Sequence, residues 1–190
     1  GFLPAFYQQA NQGFVVISTD PVSFIQVRNE YVVEPAHLQA LLATRTGMIV
    51  LESLAKQMGW KIGDKVPLGS PVPRVDGTPW TFDVVGFVTN PSNPGSVPFA
   101  LANYDYVNES RSNLKDRVTR FVVRVEDASR SLETAEAIDK EFASSDAPSR
   151  TQAENEYAQS EMATIGDVQR LTTAITIAVL FATLFMIGNV

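Results

Sequence analysis

The clearest strand pattern in the chain is Arg117-Val118-Thr119-Arg120-Phe121-Val122-Val123-Arg124-Val125. A second, Trp80-Thr81-Phe82-Asp83-Val84-Val85-Gly86-Phe87-Val88, begins with alternation and ends nearly continuous, as a strand does when it passes from an edge into a core. Shorter strand patterns lie at residues 13–17, 65–68 and 99–102. Residues 48–51 fit either a strand or the first turn of a helix over 52–58, which Gly59 would stop as a left-handed cap. Thr19-Asp20-Pro21 is a capping residue followed by proline at the first helical position, predicting a brief helix to about Val27. Glu34-Pro35-Ala36 opens another, with Leu38, Leu41 and Leu42 at helical spacing. Residues 104–111 suit a short helix. Asp127 caps a longer one over 128–142, with Leu132, Ala135, Ile138 and Phe142 on one face. Gly63-Asp64 and Asp76-Gly77 read as turns, and the proline-rich stretches 69–79 and 90–98 read as loops.

Beyond a polar break at 144–150 the character changes. Residues 151–170 favour helix but are polar, with Tyr157, Met162, Ile165 and Val168 their large apolar members. Residues 171–190, LTTAITIAVLFATLFMIGNV, hold no charge and are apolar on every face. About 20 such residues suit a helix crossing about 30 Å of hydrocarbon. The threonines can bond back to their own helix carbonyls, so they do not veto insertion. The competing reading is a buried core helix or an oligomer contact. With no proline between 151 and 190, the polar helix can run unbroken into the apolar one, roughly 60 Å in all.

The fold class that emerges is α+β: a mixed αβ piece with a β-rich inserted subdomain over roughly 60–103, then a long C-terminal helix entering the membrane. The corresponding organisation is a core domain over 1–150, a helical stalk over 151–170 and the start of a transmembrane helix over 171–190. The opening Gly1-Phe2-Leu3-Pro4 has no initiator Met and no charged-then-apolar leader, and reads as part of a longer chain.

Composition narrows the chemistry. The 190 residues are 45% hydrophobic and carry a formal charge of −6, which argues against a general nucleic-acid binder. There is no cysteine, hence no disulfide, thiolate nucleophile or zinc–thiolate site, and a single histidine, His37. His37 could be a ligand or base, but alone in a helix it reads first as an exposed residue. The carboxylate pairs Glu133/Glu136 and Glu154/Glu156 sit on helices that read as solvated, whereas catalytic pairs need burial to part their pKa values. Residues 59–65 carry the glycines and lysine of a phosphate loop without its G-x-x-x-x-G-K-[ST] spacing, and lead into a strand. Asn108-Glu109-Ser110 fits a glycosylation sequon, a tripeptide that also arises by chance. Trp60, Trp80, Phe82 and Phe87 read as packing residues. No catalytic, cofactor or metal site is predicted.

Four segments carry a resemblance: Asp20-Pro21; Arg45-Thr46-Gly47; Leu54-Ala55-Lys56-Gln57-Met58-Gly59-Trp60-Lys61-Ile62-Gly63-Asp64-Lys65-Val66-Pro67-Leu68; and Trp80-Thr81-Phe82-Asp83-Val84-Val85-Gly86-Phe87. Together they resemble the extracytoplasmic core domain of MacB/FtsX-type ABC transporter permeases. The resemblance extends over nearly the whole chain and is most specific between Thr44 and Val88. It implies a non-catalytic periplasmic domain in the bacterial inner membrane. In that family the domain lies between the first two helices of a four-helix permease, which works as a dimer with a cytoplasmic ABC ATPase. It implies as partners that ATPase, a second permease subunit (identical or not) and, in some members, a periplasmic adaptor. Residues 171–190 would then be the second transmembrane helix, with 151–170 the stalk beneath the domain. Glu154, Tyr157, Glu161, Ile165 and Val168, roughly on one face, are the candidate coupling residues. An alternative is a membrane-anchored sensor or adaptor domain that binds a protein or peptide; a third is a tethered hydrolase whose carboxylates meet only on folding.

Overall fold

The computed structural model describes residues 1–8, 13–93, 95–154, 156–157, 175–177 and 179. They fall into two compact units, Gly1–Val123 and Arg124–Val190.

The first unit starts with an element that its sequence disguises. β1 (Phe2–Phe6) carries Pro4, which reads against a strand, yet it pairs antiparallel with β2 (Gly13–Thr19), Leu3 opposite Val16. Proline is tolerated because β1 stands at one end of the sheet order, where one side of the strand needs no ladder donor. The expected cap then appears: Asp20 accepts the Ser23 N–H (2.6 Å), and Pro21 opens α1 (Pro21–Val27). β3 (Val32–Val33) is a two-residue strand with no signal in the sequence pattern, followed by α2 (Pro35–Ala43). Residues 47–51 resolve as a strand, β4 (Gly47–Leu51), buried at every position. Flanked by β6 on one side and β7 on the other, it has no solvent face, hence its continuous apolar run. α3 (Glu52–Met58) ends at Gly59, φ +73°, as the sequence predicts.

β5 (Lys65–Leu68), β6 (Trp80–Thr89) and β7 (Phe99–Asn103) complete the sheet, and α4 (Tyr104–Ser110) follows. The order is β1-β2-β7-β4-β6, with β5 against the first half of β6 and β3 against its end. The β2/β7 and β4/β6 pairs are parallel and the others antiparallel. The two ends of this order meet. Phe6 and Gly69 exchange two main-chain hydrogen bonds of 3.0 Å, and Ser70 Oγ donates to the Pro4 carbonyl (2.6 Å). The curled sheet encloses a core of Leu3, Val16, Met48, Ile49, Val84 and Phe82, with Leu41 and Leu54 packed from the helices. Mixed α/β architecture is therefore what these residues build.

Residues 117–125 depart from expectation: they form no strand. Every residue from 112 to 124 is exposed, Phe121 at 82%. Strand-favouring residues satisfy only one requirement of a strand; the other is a main chain to pair with, and no described strand pairs with this segment.

In the second unit Asp127 accepts the Ser129 N–H (2.9 Å) and starts a single 3₁₀ turn, Ala128–Arg130, that leads into α5 (Ser131–Phe142). The predicted apolar face of α5 is only partly covered: Ala135 is buried, whereas Leu132 and Phe142 are exposed. No helix of the described residues is long and apolar enough to cross a membrane. Most of 171–190 lies outside the described residues; Ile175, Thr176, Ile177 and Val179 are helical and exposed.

Candidate functional site

Of the five candidate coupling residues, Glu154 and Tyr157 are helical, exposed and half-buried respectively; Glu161, Ile165 and Val168 lie outside the described residues. The Tyr157 N–H donates to Ala153 O (3.0 Å), closing the first turn of this helix. Sequence reasoning missed the residue that holds the approach to it. Asp139, near the end of α5, accepts the Thr151 N–H through both carboxylate oxygens (2.8 and 2.9 Å). Its Oδ1 also accepts the Thr151 hydroxyl (2.8 Å) and the Ser149 hydroxyl (3.0 Å). These donors, the Thr151 amide foremost, hold the carboxyl below its ordinary range, and the Arg150 charge adds to the effect. Only the serine–threonine composition of 149–151 hinted at such a clasp; nothing pointed to Asp139.

His37 is not the exposed residue the sequence suggests. It lies under β6, where its Nδ1 accepts the Phe87 N–H at 3.3 Å and its Nε2 stands 3.8 Å from a Glu34 carboxylate oxygen. The reason is Gly86. A Cβ there would come within 2.4 Å of the His37 side chain, so only glycine leaves the imidazole its space. The β4/β6 register also shifts here, Met48 facing Val84 and Ile49 facing Gly86, so the glycine sits at both a bulge and a close approach. The Nδ1 of His37 is thus committed to the main chain.

A further polar cluster holds the start of β6. Arg74 lies over the rings of Trp80 (5.4 Å) and Tyr106 (5.7 Å), and donates to Tyr106 Oη (2.7 Å) and to both oxygens of Asp76 (3.1 and 2.8 Å). Tyr106 donates onward to Thr81 O (3.0 Å), and Trp80 Nε1 to Val72 O (2.8 Å). The Arg74 guanidinium, with the amide and hydroxyl of Thr78, holds the Asp76 carboxyl far below the usual carboxylate range. Every group here has a structural partner, so the arrangement is a staple for the turn at Asp76-Gly77.

The remaining motifs resolve simply. Asn108 is buried, with its side-chain amide donating to Asp116 Oδ1 and its carbonyl accepting the Asp116 N–H, both at 2.8 Å. The sequon asparagine is thus occupied. Glu133 pairs with Arg130 (3.0 Å) on the surface, and Glu136, Glu154 and Glu156 are exposed. Residues 61–64 form a turn in which Asp64 accepts the Lys61 N–H (2.8 Å), leading into β5. Among the described residues no three His, Cys, Asp or Glu side chains converge as metal ligands. An open apolar groove of about 430 Å³ is lined by Pro4, Phe6, Phe14, Pro71, Val97 and Pro98. A smaller one of about 280 Å³ lies between α3 and the end of β6, with Ser53, Lys56, Asn90 and Ser96 on its walls.

Compared with known proteins, the chain matches no family model and no curated protein.

Proposed function

We propose that this chain is the extracytoplasmic domain of an ABC transporter permease of the MacB/FtsX type, a mechanical rather than catalytic part. ATP-driven closure of a cytoplasmic ATPase dimer tilts the membrane helices, and a helix through 151–170 carries that tilt to the sheet domain. A helix suits the task because its backbone hydrogen-bond ladder keeps it stiff over a few tens of ångströms. The observation that carries this reading is the uncharged run 171–190, whose described members Ile175, Ile177 and Val179 are helical yet stand exposed, as a lipid-facing helix would. The motifs between Thr44 and Val88 add support, since Gly59, Gly86 and the turn at Gly63-Asp64 all perform definite structural tasks. In this reading the domain faces the periplasm from the bacterial inner membrane. Its partners are the ATPase, a second permease subunit and, where one exists, a periplasmic adaptor.

The test is made in the full-length parent with its ATPase. Two prolines inserted after Glu161 should leave the domain folded and ATP hydrolysis intact while abolishing export. Undiminished export by that insertion would overturn the mechanism. Extraction of the parent into the aqueous phase without detergent would overturn the membrane assignment.

A further inference from the structure

Between α5 and the helix that begins near Glu154 the chain runs through Ala143-Ser144-Ser145-Asp146-Ala147-Pro148-Ser149-Arg150. This composition belongs to a flexible connection. Asp139 and Thr151 are twelve positions apart along the chain. Asp139 itself lies in α5, so the free part is residues 143–150, and a coil of that length spreads its ends over roughly 16 Å. A helix attached through such a segment could swing without moving α5 at all. The carboxylate of Asp139 removes that freedom by taking the Thr151 amide and hydroxyl and the Ser149 hydroxyl, all within 3.0 Å. At the near end of the connection, the Ser145 hydroxyl donates to Phe142 O (2.8 Å) and fixes the exit from α5. Only Gln152 and Ala153 then separate the clasped Thr151 from helical Glu154.

We propose that Asp139 is a positioning residue that turns this connection into a stiff joint, so that the helix beginning near Glu154 and α5 move together. The consequence for transport rests on the function proposed above; the joint itself does not. A charged acceptor suits the task because bonds from an amide and hydroxyls to a carboxylate are shorter and stronger than those to a neutral oxygen. Asp139 is also well placed to be tested, since alanine is the best helix former and its substitution leaves α5 able to fold.

The chain has no cysteine, so two can be introduced without background: Glu136→Cys on α5 and Glu156→Cys on the following helix, both exposed positions. Spin labels on this pair in the 190-residue chain should report one narrow distance distribution. With Asp139→Ala the distribution should widen roughly twofold, as the released segment samples its own coil dimensions. Helix content by circular dichroism should stay unchanged. Asp139→Asn keeps an Oδ1 acceptor for all but one of the bonds and should restore most of the narrowness, a rescue that loss of packing would not show. An equally narrow distribution in Asp139→Ala overturns the joint. In the full-length parent with its ATPase, Asp139→Ala should keep ATP hydrolysis and lower export per ATP several-fold. Unchanged export beside a widened distribution overturns the coupling role. A wild-type parent that exports nothing overturns the transport reading instead, and the spin-label distances then decide the joint alone.

Discussion

β6 (Trp80–Thr89) and residues 117–125 both carry strand-favouring sequence, dense in valine and phenylalanine. Their fates are opposite. In β6 alternate side chains are buried along the entire strand, Phe82 and Val84 completely. In 117–125 Phe121, Val122 and Val123 are all exposed. Alternation says which residues share a face, but it is silent on whether a neighbouring main chain and a covering layer exist. β6 has β4 along one edge and β5 and β3 along the other; residues 117–125 pair with no described strand.

The sharpest way to break this comparison is to delete the same side chain in both places. Phe82→Ala should cost about 3–5 kcal/mol, because it empties a site with no solvent access, whereas Phe121→Ala should stay within about 0.5 kcal/mol. Urea denaturation followed by tryptophan fluorescence measures both. Equal losses would mean that Phe121 is covered in solution and that the contrast is false.

A smaller effect probes the one irregularity in β6. Gly86→Ala should cost about 1–3 kcal/mol, since the new methyl group meets the His37 side chain. Most of the penalty should vanish in a His37→Ala background, giving a coupling of about 0.5–3 kcal/mol in a double-mutant cycle. A penalty of the same size in both backgrounds would assign the glycine to the bulge alone.

The start of β6 should withstand mild acid. The Asp76 carboxyl is depressed by Arg74 and Thr78 from its ordinary value of 3.8, so its contribution is complete above that value. It is lost as pH falls through the lowered, folded-state value. The Trp80 indole resonance should therefore keep its native position to below pH 3.8 in the wild type. Asp76→Asn should remove that part of the acid dependence, and a wild-type transition centred at the ordinary carboxylate value would contradict the pairing.

The smallest expected effect is the most pointed. Val122→Thr, on the exposed ribbon, should change stability by less than about 0.5 kcal/mol, while Val84→Thr in β6 places a hydroxyl among apolar neighbours and should cost about 1–3 kcal/mol.

Much of the fold was legible because it is local. Asp20-Pro21 caps α1, Gly59 ends α3, and β5, β6 and β7 follow their apolar patterns closely. What was hidden is long-range. β1 was masked by Pro4, whose cost disappears at the end of the sheet order, and β3 is too short for periodicity to register. His37 was misread because its environment is set by Gly86, far along the chain. Glu154, Glu156 and Tyr157 are helical where the sequence favours helix, but the clasp before them was hidden, since Asp139 and Thr151 meet only when the intervening turn closes.

By itself the sequence determined the caps, the turns, the helix stops, the absence of thiol chemistry and the uncharged character of 171–190. Each depends on residues within a few positions of one another, where backbone sterics and side-chain type suffice. The tertiary structure alone decided which strand-favouring segment became a strand, where the sheet met itself at Phe6 and Gly69, and which acid held Thr151. Those outcomes need a partner brought from elsewhere in the chain, and a hydrogen bond or a buried face has no meaning until that partner arrives.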